Sequence, residues 1–139
     1  MIRHHNRISE YRQTKTAGAG SDPHQLVALL LAGVLERVRL AIACIERGET
    51  TGKARAIGNS LEILDGLRLS LDHRAGGEIA GGLESIYDYA SQCLVEANLR
   101  NDANKLAEVL NLLGEIETAW LSIPERLGGS YHRGSERHE

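Results

Sequence analysis

The chain has 139 residues and a formal net charge of −3. Thirty-five residues are Leu, Ile or Val, enough for one folded core and too many for a mainly disordered chain. No apolar run approaches the roughly 18–20 residues of a membrane span, and residues 1–7 lack the apolar stretch of a secretory signal. A soluble, cytosolic protein without stable membrane insertion is therefore expected.

The charge is unevenly distributed. Arg3, Arg7, Arg12 and Lys15 against Glu10 give residues 1–16 a net +3, whereas nine basic and fifteen acidic groups give residues 17–123 a net −6. Residues 124–139 are balanced. No concentrated basic face exists, so nucleic acid is not an expected partner. A basic arm on an acidic body suits docking onto its own domain; a solvated terminus accounts for it equally well. Cys44 and Cys93 stand alone, with no C-x-x-C spacing, and suit burial as small hydrophobes better than redox or zinc chemistry.

Helical periodicity organises the rest. A first segment, 22–47, opens on Asp22 as cap, Pro23 at the first helical position and Gln25, and stops at Gly48. Its stripe is Val27, Leu30, Val34, Val38, Ala41 and Ile45, with Leu26, Leu29 and Leu40 beside or off it. A second, 50–73, aligns Ala54, Ile57, Leu61, Leu64 and Leu71, with Ile63 and Leu67 on another stripe, and breaks at 74–77. A third, 78–100, spaces Ile79, Leu83, Ile86, Ala90, Cys93 and Ala97 at three and four, while Tyr87, Tyr89, Leu94, Val95 and Leu99 widen or leave that face. Asp102 can cap a fourth segment, 103–122, in which Leu106, Val109, Leu113, Ile116, Trp120 and Ile123 alternate three and four.

Short links make sequential helices antiparallel, so the expected fold is all-α: an up-down-up-down four-helix bundle over 21–123. A short helical element around Ile8 and Tyr11, with a flexible Gly-Ala link, is expected within 1–20, and a disordered tail over 124–139.

Nothing points to catalysis. Four of six histidines fall in the expected loose ends, no Glu-x-x-His pattern is present to build a di-metal bundle site, and Gly76-Gly77 reads as a helix break rather than a phosphate loop. No enzyme activity, cofactor or metal is expected. Glycine is the unusual component, with 15 residues, several inside helices: Gly33, Gly58, Gly66, Gly81, Gly82 and Gly114. Each costs about 0.8–1 kcal/mol against Ala. Close helix packing or tolerated instability is one account; a shallow groove approached by another chain's backbone is the other. Apolar residues outside the seams (Leu26, Leu29, Ile63, Leu67, Val95, Leu99) lean toward a groove that accepts an amphipathic helix, and equally suit a homodimer.

In order along the chain stand Tyr11-Arg12-Gln13-Thr14; Asp22-Pro23-His24-Gln25-Leu26-Val27 with Leu29-Leu30 and Gly33; Ser70-Leu71-Asp72; Gly76-Gly77-Glu78-Ile79-Ala80; Tyr87-Asp88-Tyr89; Glu96-Ala97-Asn98; Asn101-Asp102; Leu112-Leu113; and Ala119-Trp120. Over roughly residues 6–123 this series resembles the FliS family of flagellar export chaperones. The resemblance implies a non-enzymatic cytosolic bundle that binds the C-terminal segment of flagellin, blocks premature polymerisation and helps deliver the subunit to the flagellar type III export apparatus. It also implies contact with an export gate protein and, in some members, an anti-sigma factor. It further implies an N-terminal element that occupies the groove and is displaced, a role that Ile8 and Tyr11 suit. The expected groove comprises Leu26, Leu29, Leu30, Gly33, Ile57, Leu61 and Leu64, with Asn98 and Leu99 on the far side. Each of these positions equally suits ordinary core.

Overall fold

The structure, a computed structural model, describes residues 22–123 and His132. Four helices account for the continuous part: α1 (Pro23–Arg47), α2 (Thr50–Leu69), α3 (His73–Arg100) and α4 (Ala103–Ser122). At 1.5 Å per residue they run roughly 30–42 Å. α1 packs against α2 and α4, and α3 packs against the same two, so the helices close a ring around one core. The fold is the all-α four-helix bundle expected from the periodicity.

Side chains at the helix ends explain where each element starts and stops. Asp22 Oδ1 accepts from the Gln25 amide at 3.3 Å, and Pro23 occupies the first position of α1. Gly48 ends α1 in the left-handed conformation (φ 70°), and the Glu49 amide returns to the Cys44 carbonyl at 2.8 Å. Asn101 (φ 53°) plays the same part after α3, and Asp102 Oδ1 accepts from the Asn104 and Lys105 amides to open α4.

The boundary between α2 and α3 departs from expectation. α2 ends at Leu69 rather than at 73, and α3 begins at His73 rather than at 78. Asp72 is the cause: its carboxylate accepts from the Arg74 and Ala75 amides, 3.2 Å each, and starts a helical turn through residues expected to break one. Only Gly77 leaves helical geometry (φ 53°, ψ −126°), and it kinks α3.

The core follows the α4 seam closely: Leu106, Val109, Leu113 and Trp120 are buried, with Ile116 and Ile123 partly so. α1 buries Val27, Leu30, Val34, Val38 and Ala41 as its stripe requires, plus Leu31 and Leu35. In α2 the expected stripe needs correction. Ala54 is exposed, and Ile63 and Leu67, counted as surplus surface, are fully buried beside Ile57 and Leu64. In α3, Ile79 lies half exposed whereas Tyr87 and Leu94 are interior. Cys44 and Cys93 are buried and free.

Two polar ties hold opposite ends of the bundle. At one end the buried Lys53 donates its Nζ to the Asn98 carbonyl (2.9 Å) and to Asn101 Oδ1. A cation thus sits on the last carbonyls of α3, where the helix dipole favours it. At the other end Trp120 Nε1 donates to the His24 carbonyl (3.0 Å) and His24 Nε2 donates to the Trp120 carbonyl (3.1 Å), tying α1 to α4.

Candidate partner-binding surface

The expected groove residues divide by depth. On α1, Leu30 and Gly33 are buried, Leu26 is partly buried against the core, and Leu29 is 37% exposed. On α2, Ile57 and Leu64 belong to the same buried cluster as Leu30, with Leu61 packed against it. Leu30, Ile57 and Leu64 therefore support a surface from beneath. Asn98 is exposed at its side chain while its carbonyl is held by Lys53. Leu99 is 70% exposed. Ile8 and Tyr11 lie outside the described residues.

Leu26 and Leu29 lie in the first turns of α1, the end carrying the His24–Trp120 tie; Asn98 and Leu99 lie at the Lys53 end. The structure therefore does not bring these two sets into one pocket. What it places beside Leu99 is Val95, 52% exposed, one turn earlier on the outer face of α3. Together with Ser91, Gln92, Glu96 and Arg100 they line a shallow depression of about 430 Å³. A second cleft of about 380 Å³ runs between α3 and α4, floored by Ile86 and Leu112 and rimmed by Ser85, Tyr89, Glu108, Asn111 and Glu115.

This second cleft was not anticipated as a site. Its signal was present in the spacing of Ile86 and Tyr89, which lie on the flank of the α3 seam, but a flank and a groove look alike until the neighbouring helix is placed. The Tyr89 hydroxyl donates to the Glu108 carboxylate across the cleft. That hydrogen bond is the main reason the phenol is held protonated well above its ordinary range.

Four of the helical glycines are less crowded than a packing role requires. A Cβ at Gly58, Gly81, Gly82 or Gly114 would meet nothing within 4 Å. A Cβ at Gly52 would collide, 2.9 Å from Cys44 Sγ. Tight helix contact therefore accounts for Gly52 and not for the other four.

Two shallow depressions on an all-helical ring offer shape and apolar surface, floored by aliphatic side chains and rimmed by polar ones. Among the described residues no group of three His, Cys, Asp or Glu could hold a metal ion, and no helix is long and apolar enough to cross a membrane. The comparison with known proteins decides the family. Residues 4–127 match the family described as Flagellar protein FliS. The chain belongs to the FliS family. It is 41% identical over 118 residues to flagellar secretion chaperone FliSB of Pseudomonas aeruginosa, covering 84% of this chain and 94% of that one. It is 39% identical over 119 residues to flagellar secretion chaperone FliS of Salmonella typhimurium, covering 84% and 88%. With FliS of Bacillus subtilis it shares 30% identity over 115 residues, 83% and 84% of the two chains.

Proposed function

We propose that the protein is a cytosolic flagellar export chaperone that binds the C-terminal segment of flagellin, blocks premature polymerisation and helps deliver the subunit to the export apparatus. The observation that carries this reading is the family match over 4–127, with relatives named flagellar secretion chaperones aligned along most of both chains. The surface supports it physically. A disordered segment that folds on binding offsets an ordering cost of about 2–5 kcal/mol by wrapping a large apolar area. Shallow aliphatic depressions along helices accept the apolar face of an amphipathic helix. Open space above Gly58, Gly81, Gly82 and Gly114 lets a second backbone come close.

Within this proposal, Leu26, Leu29 and Leu61 make direct contact near the α1–α2 side, and Asn98 and Leu99 on α3. Leu30, Gly33, Ile57 and Leu64 hold those elements in place. Ile8 and Tyr11 occupy the groove when it is empty, and the +3 arm over a −6 body favours that docked state modestly and in a salt-sensitive way. An export gate protein and an anti-sigma factor are proposed as further partners.

Calorimetric titration with the C-terminal segment of the same organism's flagellin tests the proposal. The expected result is saturable one-to-one binding with a negative heat-capacity change. Absence of binding at tens of micromolar, with the arm intact and with residues 1–16 removed, overturns it. The exposed pair Val95 and Leu99 also suits a homodimer. Concentration-dependent mass in light scattering that no flagellin segment alters would favour that second reading.

A further inference from the structure

The end of the bundle where α1 begins carries a ring cluster separate from both clefts. His24 and Trp120 stack with centroids 4.8 Å apart and planes 15° apart. The imidazole of His132 meets the Trp120 ring edge-on, at 5.0 Å and 80°. His132 also pairs through its backbone with Leu71 in an isolated antiparallel bridge. Of the 124–139 stretch only His132 lies among the described residues, and it is 1% exposed.

Neither nitrogen of this buried ring has a partner among the described residues. Burial of unpaired polar atoms opposes docking. A phenylalanine would make the same edge-to-face contact without them. What an imidazole adds is a charge that changes near neutrality.

We propose that His132 is a proton-sensitive anchor: neutral, it seats against Trp120 and Leu71 at the end of the bundle; protonated, it leaves. An imidazolium there would be desolvated with no counter-charge among the described residues. On α1 the facing group is His24, whose Nε2–H is committed to the Trp120 carbonyl. Beside Leu71 are Asp72, whose carboxylate caps α3, and His73, which lies 3.3 Å from Glu84. On α4 the nearest acid along the chain is Glu117, one turn before Trp120. None of these carboxylates forms an ion pair with His132.

The sign follows from burial, which lowers the His132 pKa from 6.5 to about 4. The released ring takes up a proton first. The seated form therefore holds its full advantage above pH 6.5 and loses it as the pH falls toward 4. Across that window the ratio of seated to released form drops about tenfold per pH unit.

Trp120 is the chain's only tryptophan, so its emission reports on the slot directly. Emission and acrylamide quenching are read on the full chain from about pH 8 to about pH 5, a range that spans the ordinary histidine value, with far-UV circular dichroism alongside. Wild type is expected to shift to the red and quench more readily as the pH falls, at constant helix signal. His132→Phe should stay flat, and His24→Gln should keep the transition. A nuclear magnetic resonance titration of the wild-type imidazoles, which needs no variant, should place His132 well below the ordinary histidine value. Flat wild-type emission overturns the proposal. So does a His132→Phe curve that tracks wild type, or a His132 ring that titrates at its ordinary value.

Discussion

Replacing Trp120 by Ala removes a ring that touches two histidines and the N–H that ties α4 to the first turn of α1. The side chain is 4% exposed, so the loss combines apolar burial, a cavity and an orphaned His24 carbonyl. The expected cost is about 3–5 kcal/mol, read as a fall in thermal midpoint of roughly 10–17 °C for a domain of this size. Lys53→Met acts at the opposite end by a different mechanism. It keeps the buried stem but leaves the Asn98 carbonyl and Asn101 without their donor. A cost of about 1–3 kcal/mol is expected, and urea denaturation should show it as a lower midpoint at unchanged slope. The sequence made Trp120 legible because the 3-4 spacing of α4 runs through it without a miss. Lys53 was not legible. A lysine in the first turn of a helix looks solvated until the Asn98–Asn101 end of α3 is seen to lie across it.

Helix ends show the same division between local and long-range information. The Asp22, Gly48 and Asp102 signals were readable because capping is settled within a few residues. Between α2 and α3 two local signals compete, a capping Asp72 and a Gly-Gly pair, and the cap prevails up to Gly77. The two glycine classes then separate by experiment. Gly77→Ala places a Cβ in a left-handed conformation and should cost about 1–2 kcal/mol. Gly114→Ala enters open space in regular helix and should gain about 0.8–1 kcal/mol. Chemical denaturation of the two variants gives opposite signs if both accounts hold. A loss at Gly114 would mean that its backbone freedom, rather than the space above it, is what the fold uses.

At the scale of the molecule, ring order and antiparallel sense followed from four periodic segments and short links, whereas the depth of individual positions did not. α2 illustrates why. Ser60 is fully buried because its hydroxyl returns to the Ala56 carbonyl at 2.9 Å, so a polar letter sits in the middle of the interior face and shifts the apparent stripe. Ile63 and Leu67 consequently looked like surplus surface; Leu30, Ile57 and Leu64, which suited groove and core equally by pattern, are buried in the core. Val95 and Leu99 are among the exposed large apolar side chains, with Leu69 and Leu121 elsewhere, and they share one depression on α3 while contributing little to the core. Fold and binding should therefore separate there. A Val95→Ser, Leu99→Ser double variant is expected to change stability by no more than about 0.5 kcal/mol. If the flagellin segment covers that face, the same variant should bind it at least tenfold more weakly, because burying even one aliphatic side chain is worth about 1.5–3 kcal/mol. Unchanged affinity in a fully folded double variant would move the segment off this face. The cleft floored by Ile86 and Leu112 would then be the next surface to alter. Weaker binding accompanied by a lower self-associated mass would instead place both the partner and a second copy on the same patch, and titrating the segment into the dimer would show competition between them.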